Sequence, residues 1–238
     1  MKDYLLKWDS QFFGYKIACI KPFELGLPDL NKIIRELKNK DFRLAYCFVI
    51  PEDKISSDSL NQVSGLLVDE KITFFTKIDE EKTIPNSNNI VPYDLKYVSE
   101  KLKSLTLQSG AYSRFKIDPA FRNNEFEKLY IEWIEKSVSR ILATEILVYN
   151  EDREIKGFVT LALNNNTGSI GLIAVDEKQR GKSIGKKLIY AALQYFKEKK
   201  ITNLEIVTQK ANIVACRFYE SCGFEVKNIV NVYHLWIR

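Results

Sequence analysis

Residues 168–188, GSIGLIAVDEKQRGKSIGKKL, run an apolar strand pattern into a two-glycine turn and on into an amphipathic helix. This sets where backbone groups point: the first N–H groups of a helix have no internal acceptor, and with the positive end of the helix dipole they attract an anion. From Ile184 onward, Leu188, Ala191, Ala192 and Phe196 share one face, leaving Lys186, Lys187, Gln194 and Lys197 to water. The spacing predicts a helix from about Ser183 to Lys199. Gly181 and Gly185 let a diphosphate approach the main chain where a Cβ would collide, and Arg180 and Lys182 add positive charge. Two common phosphate loops are excluded. A nucleotide P-loop ending at Gly181-Lys182-Ser183 would need glycine where Asp176 stands, and a dinucleotide fingerprint would need a third glycine in the turn.

Upstream, YLLKW, KIACI, LAYCFVI and KITFFTKI read as strands, and PDLNKIIRELKNK as a helix with Leu30, Ile33, Ile34 and Leu37 in register. The polar stretch DEEKTIPNSNNIVP reads as a linker, so a small α/β unit over residues 1–90 and a second unit over residues 91–238 are expected. The second unit begins with helices at DLKYVSEKLKSLTLQSG and NNEFEKLYIEWIEKSVSR. Strands follow at TEILVY, EIKGFVTLAL and GSIGLIAV, joined by short turns that predict antiparallel hairpins. After the glycine turn and its helix come a strand at LEIVT, a helix at IVACRFYES, and strands at FEVKNI and VYHLWI. This order is not the regular alternation of a doubly wound sheet. It predicts an α/β (α+β) chain with a mixed, largely antiparallel central sheet flanked by helices.

Composition narrows the function. The 36 basic and 31 acidic residues leave a net charge of +5, so charge alone gives no case for nucleic acid as a partner. No run of about 18 apolar residues predicts a membrane span, and MKDYLLKWDSQFFGYK lacks the apolar core of a secretion signal. Cys19, Cys47, Cys216 and Cys222 share no short metal-ligand spacing, and the chain has one histidine, so no metal is expected and reduced thiols in a cytoplasm are the simplest expectation.

The run IAVDEKQRGKSIGKKLI resembles motif A of the GNAT acetyltransferases, whose [QR]-x-x-G-x-[GA] turn cradles the acetyl-CoA pyrophosphate with backbone amides. On that pattern Arg180 is the first position and Gly185 the last, with Ser183 where a glycine is expected. NIVACRFYESCGFE is similar to the family's N-x-x-A-x-x-[FL]-Y-x-x-x-G-F segment and places Asn212, Ala215, Phe218, Tyr219, Gly223 and Phe224 in register. The resemblance implies a GNAT fold with acetyl-CoA as acetyl donor, held by the main chain of Ile173, Ala174 and Val175 and by the turn Arg180, Gly181, Lys182, Ser183, Ile184 and Gly185. It implies Asn212, Ala215 and Phe218 as further donor contacts, and Tyr219 as the acid that protonates the CoA sulfur. His234, in VYHLWI, reads as structural, and no residue is assigned as general base.

WDSQFFGYKIACI, VDEKITFFTKI, SGAYSRFKIDPAF and FEKLYIEWIEKSVSR resemble the dTDP-4-amino-4,6-dideoxy-sugar (TDP-fucosamine) N-acetyltransferases. That likeness implies a nucleotide-sugar acceptor in a cleft beside the N-terminal unit, with Phe12, Phe13, Tyr112, Arg114 and Phe115 as candidates for meeting its base, sugar or diphosphate. Homodimers are common among similar enzymes. Two alternatives stay open: another small amine or a protein N-terminus as acceptor, and a CoA-binding module without turnover.

Overall fold

The computed structural model describes residues 5–20, 30–79, 84–85, 89–164 and 166–237. The chain begins with α1 (Lys7–Phe13), β1 (Lys16–Ile20), α2 (Leu30–Lys38), β2 (Phe42–Val49), α3 (Ser57–Gln62) and β3 (Gly65–Lys77). It continues with β4 (Ile90–Pro92), α4 (Glu100–Ser109), α5 (Arg114–Ile117), α6 (Glu125–Val138), β5 (Glu145–Glu151), β6 (Glu154–Asn164) and β7 (Thr167–Val175). Then come α7 (Ile184–Glu198), β8 (Asn203–Gln209), α8 (Ile213–Ser221) and β9 (Glu225–Trp236). Among the described residues the strands form one nine-stranded sheet in the order β1-β2-β9-β3-β8-β7-β6-β5-β4. Only β1–β2 and β7–β8 are parallel, so the sheet is mixed and largely antiparallel, as the element order predicts.

The expected boundary near residue 90 falls between β3, in the middle of the sheet, and β4, at its edge. Strand β9 lies between β2 and β3, so both halves of the chain build one sheet. Its pleat sends Tyr233 and Leu235 into one apolar cluster with Ala45 and Val49. Alternate residues His234 and Trp236 lie on the opposite face, against Tyr46 and Phe121. Helices α7 and α8 cover one face beyond β3, with Leu188, Phe196 and Tyr219 buried there, and α4 and α6 cover the other with Leu102, Leu105 and Ile134.

Four local expectations are corrected. YLLKW is not a strand over its described residues: Leu5 makes one bridge to Ala18 and a helix starts at Lys7, with Trp8 stacked on Phe12 one turn later at 5.2 Å. The helix expected over residues 94–110 starts only at Glu100, where Ser99 accepts a cap hydrogen bond from the Leu102 N–H. FEVKNI and VYHLWI are a single strand, because Val230 and Asn231 continue the ladder opposite Lys71 and Glu70 instead of turning. The linker's last residues, Ile90–Pro92, pair with β5 as an edge strand, where a proline without an N–H is tolerated; Glu80–Lys82, Thr83 and Asn86–Asn88 lie outside the described residues.

Candidate active site

Strands β7 and β8 pair only over Gly168–Ile170 and Leu204–Ile206. Beyond Ile170 they part, β7 running on to Val175 and β8 to Gln209, and the opening between them leads into a cleft of about 920 Å³. Ile173, Ala174 and Val175 line it along the β7 edge. Asp176 fixes the junction after β7: its carboxylate accepts from the Lys178 N–H at 2.9 Å and pairs with Lys101 of α4.

The turn that follows leaves main-chain N–H groups open in a way that suits an anion. Gly181 adopts φ +82° and Ser183 φ +60°, left-handed conformations that aim successive N–H groups to one side. The first helical N–H with an acceptor in α7 is that of Lys187, donating to the Ser183 carbonyl at 3.1 Å, so the first-turn amides remain open. Ser183 stands at the cap position but its side chain makes no cap hydrogen bond. Its positive φ shows why a glycine is expected there. A Cβ on Gly185 would come within 3.0 Å of the Phe218 ring, so that glycine also lets α8 pack on α7. Arg180 and Ser183 line the cleft; Lys182 does not, and its Nζ donates to Gln179 Oε1 at 2.7 Å.

Helix α8 forms the next wall. Asn212 caps it by accepting from the Ala215 N–H at 3.2 Å, and Ala215, Phe218 and Tyr219 all line the cleft. Tyr219 is buried against Phe74, Phe218 and Phe224. Burial pushes its pKa up, with smaller contributions from Cys216 and Cys222, so the phenol stays protonated.

The opposite wall comes from β2, β3, α5 and α6. Arg114 opens α5, capped by Ser113, and its guanidinium carbon lies 4.2 Å from the Tyr46 ring centre, 4.7 Å from Phe115 and 5.7 Å from Phe48. Among the described residues no carboxylate comes within ion-pair distance of it. Tyr112 and Phe115 line the cleft beside it. Phe12 and Phe13 do not: Phe12 stacks on Trp8 at the protein surface, and Phe13 is packed between Phe115 and Phe121 at 5.6 and 5.4 Å, because α1 turns its aromatic residues onto the sheet and the neighbouring helices.

Sequence reasoning missed Asp69 and Lys71, which line the same wall. The register between β3 and β9 slips at Val68, so that Asp69 faces Val232. Without the extra residue Val68 would take that place and Asp69 would point to the far side of the sheet. Desolvation by burial pushes the Asp69 carboxyl up to about 7, against the opposing pull of Arg114 and Lys71. His234 is wholly buried and away from the cleft. Its Nδ1 lies 2.6 Å from Asp118 Oδ2, which also accepts from Trp236 Nε1 at 3.0 Å, and burial lowers the imidazole to about 4. With Asp118 held below the usual carboxylate range by these hydrogen bonds despite its burial, Nδ1 carries the proton and the ring is neutral.

The pattern of the Acetyltransferase (GNAT) family matches residues 111–224. Those residues are a GNAT acetyltransferase domain. The GNAT domain holds the splayed strands, the anion turn and α8, and the protein is an N-acetyltransferase that uses acetyl-CoA. The open amides and the exposed β7 edge fit its diphosphate and its extended arm, and the thioester supplies an activated acetyl group. The chain is 24% identical over 228 residues to the dTDP-fucosamine acetyltransferase of Escherichia coli, covering 94% of this chain and 93% of that protein. It is 25% identical over 138 residues to the spore coat polysaccharide biosynthesis protein SpsD of Bacillus subtilis, 58% of this chain and 47% of that one. The GCN5-related N-acetyltransferase from Sphaerobacter thermophilus shares the fold, with a TM-score of 0.57 at 14% identity over 93% of this chain and 73% of its own.

Proposed function

We propose that the protein acetylates the 4-amino group of a dTDP-linked 4-amino-4,6-dideoxyhexose, by direct attack of the amine on the acetyl-CoA thioester. The observation that carries this is the reach of the likeness to dTDP-fucosamine acetyltransferase. It extends into the N-terminal half, outside the GNAT domain, and that half supplies Phe48, Asp69 and Lys71 to the cleft wall. In this reading residues 1–90 form the acceptor-side unit.

On the donor side, the main chain of Ile173, Ala174 and Val175 holds the arm and the amides from Arg180 to Gly185 hold the diphosphate. Asn212 sets the start of α8, and Ala215 and Phe218 pack against the donor. Tyr219 gives its proton to the departing sulfur; a phenol kept neutral by burial suits that task. On the acceptor side, Arg114 meets the sugar diphosphate with a guanidinium that no carboxylate among the described residues pairs with at ion-pair distance, while Tyr112 and Phe115 offer flat faces to the sugar or base. The enzyme acts in the cytoplasm on an activated sugar destined for a polysaccharide, and as a homodimer. The free thiols of Cys47, Cys216 and Cys222 suit a reducing compartment.

The test is to incubate the purified protein with acetyl-CoA and a panel of dTDP-4-amino-4,6-dideoxyhexoses, following thiol release and the mass of the product. Turnover of one sugar, lost when the same sugar lacks its nucleotide, is the expected result. Acetyl-CoA binding with no sugar acetylated would reject the substrate.

A further inference from the structure

We infer that Asp69 is the general base of the transfer, taking the proton from the acceptor's ammonium group before the amine attacks. The inference rests on acetylation of an amine in this cleft, as read above.

Asp69 is the single carboxylate lining the cleft among the described residues, and no histidine lines it. The β3 bulge aims it there: the extra residue Val68 puts Asp69, in place of an apolar side chain, opposite Val232 on the acceptor side. A carboxylate placed only to balance Arg114 or Lys71 would be ion-paired with one of them. Neither pair forms within ion-pair distance, and Asp69 Oδ1 is buried with no hydrogen-bond partner among the described residues. Buried polar atoms are nearly always satisfied, so an orphaned carboxylate oxygen beside a ligand cleft points to a partner that arrives with the substrate. An ammonium group is such a partner.

The groups facing Asp69 are Arg114 from α5, Tyr130 from α6, Gln209 from β8, and Glu70 and Lys71 from its own strand. Burial dominates and makes the carboxylate a stronger base than one in water, while Arg114, Lys71 and Gln209 keep it from becoming permanently protonated.

The step balances. The ammonium gives one proton to the Asp69 carboxylate, which later releases it to solvent. The neutral nitrogen forms a bond to the acetyl carbon, and the carbon–sulfur bond breaks. Tyr219 protonates the sulfur, and the second proton lost by nitrogen passes through water to restore the phenol. One proton is released for each acetyl group moved.

Two readouts test this. The first is activity with the dTDP-amino sugar that the wild type turns over. Asp69→Asn is expected to lower kcat by about 100-fold or more, with the KM for acetyl-CoA unchanged, and to abolish the rise in rate that the wild type shows as pH increases through about 7. A variant within about threefold of wild type, or one that keeps that rise, overturns the assignment. The second needs no acceptor: a carbon-13 NMR titration of the aspartate carboxyls, with Asp69 assigned by its absence in Asp69→Asn. Titration near neutrality is expected, and titration at an ordinary aspartate pH overturns the base. If no dTDP-amino sugar is acetylated, the substrate reading fails alone, and the base is decided by the same pH profile of wild type and Asp69→Asn with the amine that the protein does acetylate.

Discussion

The two walls of the cleft are made in different ways. In the proposed reading the donor wall comes from two nearby stretches, the β7–α7 junction and α8, and its working groups are mostly main-chain amides set by positive φ at Gly181 and Ser183. The proposed acceptor wall draws on β2, β3, α5 and α6, and its working groups would be the side chains of Arg114 and Asp69, with Lys71 beside them. A main-chain site depends on backbone geometry and tolerates changes of side chain. A side-chain site tolerates backbone variation but depends on single charges. The two walls should therefore fail separately, and in different parameters.

Besides Asp69→Asn, the largest separate effect is expected from Tyr219→Phe. It removes the acid and leaves the packing against Phe74 and Phe218, so kcat should fall by about 100-fold with acetyl-CoA affinity unchanged in a binding titration. Arg114→Gln should lower kcat/KM for the acceptor by about 30-fold, the equivalent of ~2 kcal/mol for a lost charge-assisted contact, while leaving the KM for acetyl-CoA in place.

Asp69 has an effect on stability as well. Its folded pKa is raised from 3.8 to about 7, so between those values the folded state keeps a proton that the unfolded state releases, and stability falls as pH rises. Asp69→Asn should therefore be more stable than wild type at pH 8 by ~2 kcal/mol in urea unfolding, the full three-unit shift being halved for partial access to water, and the gain should shrink towards pH 4. The base would be held at a cost in stability.

On the donor wall, Gly181→Val forces a branched side chain into φ +82° and should weaken acetyl-CoA binding about tenfold by isothermal titration. Ser183→Gly, which relieves the positive φ without losing a cap bond, should raise stability by ~0.5 kcal/mol in urea unfolding and leave binding intact.

The same contrast explains what was legible in the sequence. Gly181, Gly185 and the helical register from Ile184 announce the donor turn locally, and Asn212 through Phe224 give the packing of α8 in one short run. The hairpins of β5, β6 and β7 were legible from their turns. Asp69 was not, because it stands in the charged triplet Asp69-Glu70-Lys71 at the start of the KITFFTKI run, and only the slipped pairing with β9, more than 160 residues away, turns it into the cleft. Phe12 and Phe13 misled for the same reason: an aromatic pair looks alike in a core and in a binding wall until a helix packs it against Phe121 or Trp8. The join of FEVKNI to VYHLWI was hidden by Asn231, a turn-forming residue that the ladder buries.

The most direct test of separate walls is a crossed measurement: the KM for acetyl-CoA and for the acceptor sugar in both Arg114→Gln and Gly181→Val. Each variant is expected to raise one KM by about tenfold or more and to leave the other within about twofold. If Arg114→Gln weakens acetyl-CoA as much as it weakens the sugar, Arg114 belongs to the donor site and the two walls are one.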